Sequence, residues 1–205
     1  MSATLTPNVR HITRLFRTAT PEQIADGLSW YADAHDFATK LAERYNVPVH
    51  VAAGVIAAVS PLNSWGANKK LARRILAAGG LTSGYMRDGL NKATRILAGG
   101  SPLDVLSGDK VRAFYQSIVA AGKSDAVCID RHAWSLAVNH RYVDGTIPNL
   151  KGKRYALAVA AYQRAAVILS AEYGIPISPA QVQSVTWVLW RAKFWNVGAF
   201  DGLAE

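Results

Sequence analysis

The chain has 205 residues, half of them hydrophobic, with 23 Lys and Arg against 14 Asp and Glu, a formal charge of +9. That is enough apolar material for one sizeable core, and a single domain over residues 1–205 is the default at this length. The one cysteine, Cys128, excludes an internal disulfide framework and a thiolate metal cluster, and it points to a reducing, cytoplasmic setting. Arg10, His11, Arg14 and Arg17 interrupt the stretch where the apolar core of a secretory leader would lie, so no leader is expected there. The longest apolar run, residues 51–59, is too short to span a bilayer, and no membrane partner is expected. The positive excess suits nucleic acid or another anionic surface, although a merely solubilising surface charge reads the same way.

Residues 1–19 carry Arg10, His11, Arg14 and Arg17 on a short basic arm that can be helical and can touch phosphates, although such an arm is more often a solvated face. A helix is expected over 21–44, started by Thr20-Pro21-Glu22-Gln23, where Thr caps, Pro takes the first position and Gln bonds back. The same pattern recurs at Ser101-Pro102-Leu103-Asp104 and Ser178-Pro179-Ala180-Gln181. Residues 47–59, VPVHVAAGVIAAV, read as a buried central helix by length and alanine content. A helix over 66–78 follows, with Lys69, Lys70, Arg73 and Arg74 on its exposed arc, and Gly79-Gly80 stops it. Further helices are expected over 88–97, from Gly108 onward, from Asp130 to about residue 139, and over 153–173 and 178–194. A loop over 141–152 contains Gly145, Pro148 and Gly152, and the tail after Trp195 is expected to fray. No stretch alternates with a period of two, so the fold class is all-α.

The chemistry concentrates in residues 108–137, GDKVRAFYQSIVAAGKSDAVCIDRHAWSLA. Gly108 opens a helix whose first amides face outward, and Lys110 and Arg112 add charge, which suits a phosphate. An ordinary loop-to-helix junction has the same sequence. Asp130 stands between the apolar run 126–129 and the next helix, where it is a favoured cap. A capping carboxylate is held rigidly, and a fixed carboxylate can stabilise a sugar oxocarbenium or orient a nucleophile at its anomeric carbon.

Upstream, Ser60-Pro61-Leu62-Asn63-Ser64-Trp65 with Asn68 makes a polar, aromatic turn at the end of the buried helix. Such a turn can probe a base or wedge into a stack; equally, Ser60 and Asn63 can cap helices while Trp65 packs. Gln183, Trp187 and Arg191 share one helix face, which also suits a core edge. Five histidines are scattered along the chain; Asp130-x-His132 could hold a metal, but no second pair has helix-ligand spacing, so neither metal nor cofactor is expected.

Three segments resemble the helix-hairpin-helix DNA glycosylase superfamily, in particular its short, divergent phage-type members. Residues 55–70, VIAAVSPLNSWGANKK, are similar to the helix and turn written LLSAQ-T-D-x-x-VNK in that family. Residues 108–113, GDKVRA, are similar to a shortened LPGVGxKTA hairpin, and residues 126–133, AVCIDRHA, to xxVDTHVxR. The order agrees, and the match covers about residues 50–140. The resemblance implies a glycosylase-like fold of two helical lobes with a cleft between them. It implies Asp130 as the catalytic aspartate and Lys110 where some members keep a Schiff-base lysine. Gly108, Arg112, Ser60, Asn63, Trp65, Asn68, Lys69, Arg131 and His132 then form the DNA-contacting set. The hairpin lacks its second glycine, Arg131 stands where Thr is usual, and no carboxy-terminal cluster of four cysteines is present.

The resemblance therefore implies an enzyme acting on a base flipped out of duplex DNA, most directly by cleaving its N-glycosidic bond. Two alternatives remain open: a thymine-hypermodifying transferase of the same fold, and a catalytically silent DNA-binding protein. A monomer is expected, in the cytoplasm, or the host cytoplasm if the chain is phage-encoded.

Overall fold

The computed structural model describes residues 5–142 and 146–195; Gly145 of the expected loop and the tail beyond Trp195 lie outside the described residues. Among the described residues there are ten helices and no strand, so the protein is all-α. They are α1 (Val9–Phe16), α2 (Pro21–Tyr45), α3 (Val49–Ala58), α4 (Trp65–Ala78) and α5 (Arg87–Leu97). Then come α6 (Pro102–Val105), α7 (Asp109–Val119), α8 (Arg131–Ala137), α9 (Lys153–Tyr173) and α10 (Pro179–Trp195).

The capping grammar is realised at two of its three sites. The Thr20 amide donates to Gln23 Oε1 at 2.9 Å, and the Gln23 amide returns to Thr20 Oγ1 at 3.3 Å. Ser178 and Gln181 form the same reciprocal pair at 3.0 and 3.1 Å. Each box satisfies two amides that the helix cannot. At the third site Ser101 makes no side-chain cap bond, and α6 ends after one turn. The third helical residue there is Asp104, whose side chain is a methylene shorter than the Glu or Gln that a capping box uses.

The described residues group into two compact units, with α2 contributing to both. The first takes residues up to Tyr31 and from Gly122 onward, and α1, α8, α9 and α10 pack on one another in it. Its core includes Ile12, Phe16, Trp134, Tyr162 and Leu169. Burial of each such side chain contributes about 1.5–3 kcal/mol against leaving it in water. The expected basic arm is thus a packed helix: Ile12 and Phe16 are fully buried, and the Asn8 amide donates to the Ala137 carbonyl at 2.8 Å. Arg10, Arg14 and Arg17 remain exposed, and Arg17 forks onto the Glu172 carboxylate at 2.7–3.0 Å.

The second unit is built around α3, which packs against α4, α5, α6 and α7. Residues 52–58 of α3 are buried without interruption. Small side chains on every face let four helices approach one axis, which is why this run reads as apolar all round.

Candidate functional site

In the first unit Asp130 lies between two tyrosine contacts from α9 and takes an indole N–H from α10. The segment before it is buried through Val127, Cys128 and Ile129. The Tyr155 hydroxyl of α9 donates to the Val127 carbonyl at 2.6 Å and accepts the Ile129 amide at 3.3 Å. One turn beyond Asp130, the Tyr162 hydroxyl donates to the Ala133 carbonyl at 3.1 Å. The chain is therefore stapled to α9 on both sides of the carboxylate. Burial pushes the Tyr162 phenol well above its usual range; a hydrogen bond with Thr186 opposes this and the Asp130 charge adds to it.

Asp130 itself is extended and caps α8, Oδ1 accepting the His132 and Ala133 amides at 2.9 and 2.8 Å. Its other oxygen, Oδ2, accepts the Trp187 indole N–H from α10 at 2.7 Å. The Arg191 guanidinium lies 4.6 Å from the centre of the Trp187 ring, and the His132 ring meets that indole edge-on at 6.0 Å. His132 is buried, Arg131 is exposed, and Arg131 Nε lies 3.3 Å from His132 Nε2. The carboxylate keeps partial exposure while three N–H donors fix it.

In the second unit the polar turn is braced from within. Ser60 Oγ donates to the Ala57 carbonyl at 2.9 Å, and Asn63 Nδ2 to the Val59 carbonyl at 3.2 Å. Ser64 caps α4, and Trp65 packs edge-on against Phe37 and Phe114 at 5.9 and 6.5 Å. Ser60, Asn63 and Trp65 thus make the contacts that a capping and packing role requires. Leu62, between them, is 96% exposed with φ at 57°. Asn68 is buried, and its Nδ2 donates to the Ile56 carbonyl at 3.1 Å.

Lys69 corrects the expected exposed arc: it is only 7% exposed, whereas Lys70, Arg73 and Arg74 are open to solvent. The cause is its spacing from Trp65, four residues earlier on the same face. The Lys69 ammonium lies 5.9 Å from the centre of that indole, its stem covered by neighbouring packing.

At the hairpin, Gly108 is exposed with φ at 85°, a conformation that side chains resist, and it leads directly into α7. Arg112 turns back, its Nε donating to the Leu106 carbonyl at 2.8 Å, so the expected phosphate ligand also closes the turn. Lys110 is half-buried on the first turn of α7. Ser107 Oγ accepts from Lys92 Nζ of α5 at 2.6 Å, and the same ammonium binds Asp88 at 2.5 Å. A cavity of about 190 Å³ adjoins this pair, lined also by Pro61, Met86 and Val111. Among the described residues no group of three or more His, Cys, Asp or Glu could hold a metal ion.

The sequence singles out Asp130 but does not connect it to Trp187 or to the two tyrosines. The signal available was chemical: a Trp or Tyr that packs inward needs a partner for its polar atom. The sequence does not say which one. Leu62 had a weaker signal, an apolar residue inside an otherwise polar turn.

The fold and this site define an all-α protein with a clamped carboxylate at a helix start. Residues 1–194 match a family described as of unknown function, DUF7178, and the chain belongs to that family. Comparison with curated proteins and with solved structures found no match. Among the described residues no helix is long and apolar enough to cross a membrane.

Proposed function

We propose that this chain is a DNA base-acting enzyme of the helix-hairpin-helix glycosylase type, which flips a base from the duplex and cleaves its N-glycosidic bond. The observation that carries the reading is the Asp130 carboxylate, part-exposed yet fixed by three N–H donors. Cleavage sends the bonding electron pair to the departing base and leaves positive charge on the sugar. A carboxylate already oriented by amides and an indole stabilises that charge without reorganising. The exposed Leu62 on its braced turn suits the wedge that a base-opening protein needs, and the +9 charge suits the DNA backbone. The amides after Gly108 suit a phosphate. Lys110 as a Schiff-base lysine has no support beyond its place in the sequence resemblance.

The test is base release from duplexes carrying uracil, oxidised, alkylated or 5-hydroxymethyl pyrimidines, read by mass spectrometry, with wild type and Asp130→Asn. Asn remains a good cap, so the variant should fold and bind DNA but release no base. A mass gain on modified thymine in the presence of an amine would move the reading to the transferase. Salt-sensitive binding by both proteins with no product on any duplex would make this a silent DNA-binding protein.

A further inference from the structure

Capping fixes only half of the Asp130 carboxylate. The two α8 amides hold Oδ1, but rotation about the terminal torsion of an aspartate is broad and roughly two-fold. What selects one plane for Oδ2 is a residue 57 positions away in sequence, Trp187. Its 2.7 Å bond has the length of a charge-assisted N–H to carboxylate pair. The indole is in turn held from two further directions. The Arg191 guanidinium, one turn along α10, lies 4.6 Å from the ring centre, and the His132 imidazole meets the ring edge-on at an interplanar angle of 88°. His132 also supplies one of the two amides on Oδ1. The contacts therefore close on themselves: carboxylate to α8, α8 imidazole to indole, indole back to carboxylate.

We propose that Trp187 and Arg191 are positioning residues of the Asp130 site, the indole N–H setting the plane of the carboxylate and the stacked guanidinium holding the indole. This rests on the base-acting reading for its consequence in turnover, though not for the clamp itself. The clamp leaves a defined sector of Oδ2 for an electron-poor sugar carbon, because the indole occupies one lone pair and leaves another. An aspartate held only as a cap would sample both planes, and part of its population would be wrongly aimed.

Trp187→Phe removes the N–H and keeps a ring for α10 packing; Arg191→Met removes the guanidinium and keeps the stem. In the base-release assay, Trp187→Phe is expected to lower kcat about tenfold or more, about 1.4 kcal/mol of lost transition-state stabilisation, with KM for DNA unchanged. Arg191→Met should give a smaller loss of kcat. A separate readout needs no substrate. In wild type the Trp187 indole proton is expected downfield in the NMR spectrum of the free protein, and Asp130→Ala should move it upfield while the thermal transition remains cooperative. An indole resonance indifferent to Asp130→Ala overturns the clamp. So does an unchanged kcat in Trp187→Phe when Asp130→Asn abolishes turnover. A panel on which wild type neither releases nor modifies a base sinks the base-acting reading, and the indole resonance then decides the clamp alone.

Discussion

The Tyr85 hydroxyl donates to the Pro61 carbonyl at 2.6 Å, and the next residue, Leu62, projects into solvent in a left-handed conformation. Left-handed backbone costs a residue with a side chain about 1–2 kcal/mol. The cost is carried by the bonds around it: Ser60 to Ala57, Asn63 to Val59 and Tyr85 to Pro61. Leu62→Gly relieves the strain and removes the side chain. It is expected to leave the melting temperature unchanged or raised, and to abolish base opening, measured by 2-aminopurine fluorescence in a duplex. Tyr85→Phe should weaken opening by loosening the same turn. Full opening by Leu62→Gly would remove the wedge from the reading.

Asn68 tests the difference between contacting DNA and holding the helices. Its amide satisfies the Ile56 carbonyl, one of the last-turn carbonyls of α3 with no helical partner. Asn68→Ala leaves that carbonyl buried and unpaired, at a cost of about 1–3 kcal/mol. Urea unfolding should show the loss, and DNA affinity should stay as it was. A protein of unchanged stability with weakened affinity would make Asn68 a DNA contact.

At Gly27, α2 passes close to α10 in the first unit. A Cβ there would stand 2.5 Å from Val185 Cγ2 and 2.7 Å from Val185 Cα. Ser184 Oγ reaches the Gly27 carbonyl at 2.6 Å across the same gap. Alanine is the better helix former by about 1 kcal/mol, but backbone cannot yield as a side-chain tip can. Gly27→Ala is therefore expected to destabilise by a net of about 1–3 kcal/mol. A melting temperature at or above that of wild type would contradict this packing.

Stability should fall at both ends of the pH scale for separate reasons. Burial, with the Asp88 charge adding to it, pushes the Tyr85 phenol from 10.0 up to about 12, and burial also raises Tyr115 and Tyr162. The unfolded chain releases these protons first, so stability is lost as pH rises from about 10. At the acid end, the hydrogen bond from Arg17 holds the Glu172 carboxyl below its ordinary 4.5. Its contribution is present above that value and is lost as pH falls through the lower folded value. Because this pair is exposed, the acid effect should be small and screened by salt. Thermal melts from pH 3 to 11 at two salt concentrations would check both limbs; in Arg17→Gln the salt-sensitive part of the acid limb should vanish.

Much of the helical framework was legible because its signals are local. Thr20 with Gln23 and Ser178 with Gln181 specify helix starts through atoms three residues apart, and the alanine-rich run at 52–58 specifies burial through composition. Ser101 makes no side-chain cap bond although its sequence follows the same pattern, and Asp104 there is shorter than the Gln that bonds back at the other two starts. Lys69 departs from the rule that a charge marks an exposed face, because its stem is covered and its ammonium lies near Trp65.

By itself the sequence determined that the chain is helical, where most helices begin, and that Asp130 caps one of them. Those properties depend on hydrogen bonds and periodicities within a few residues. Only the tertiary structure decided that the free oxygen of Asp130 meets Trp187, that Tyr155 and Tyr162 staple its flanks, and that Leu62 is almost fully exposed. Each depends on where distant helices pack, and a side chain carries no local mark of the partner that folding brings to it.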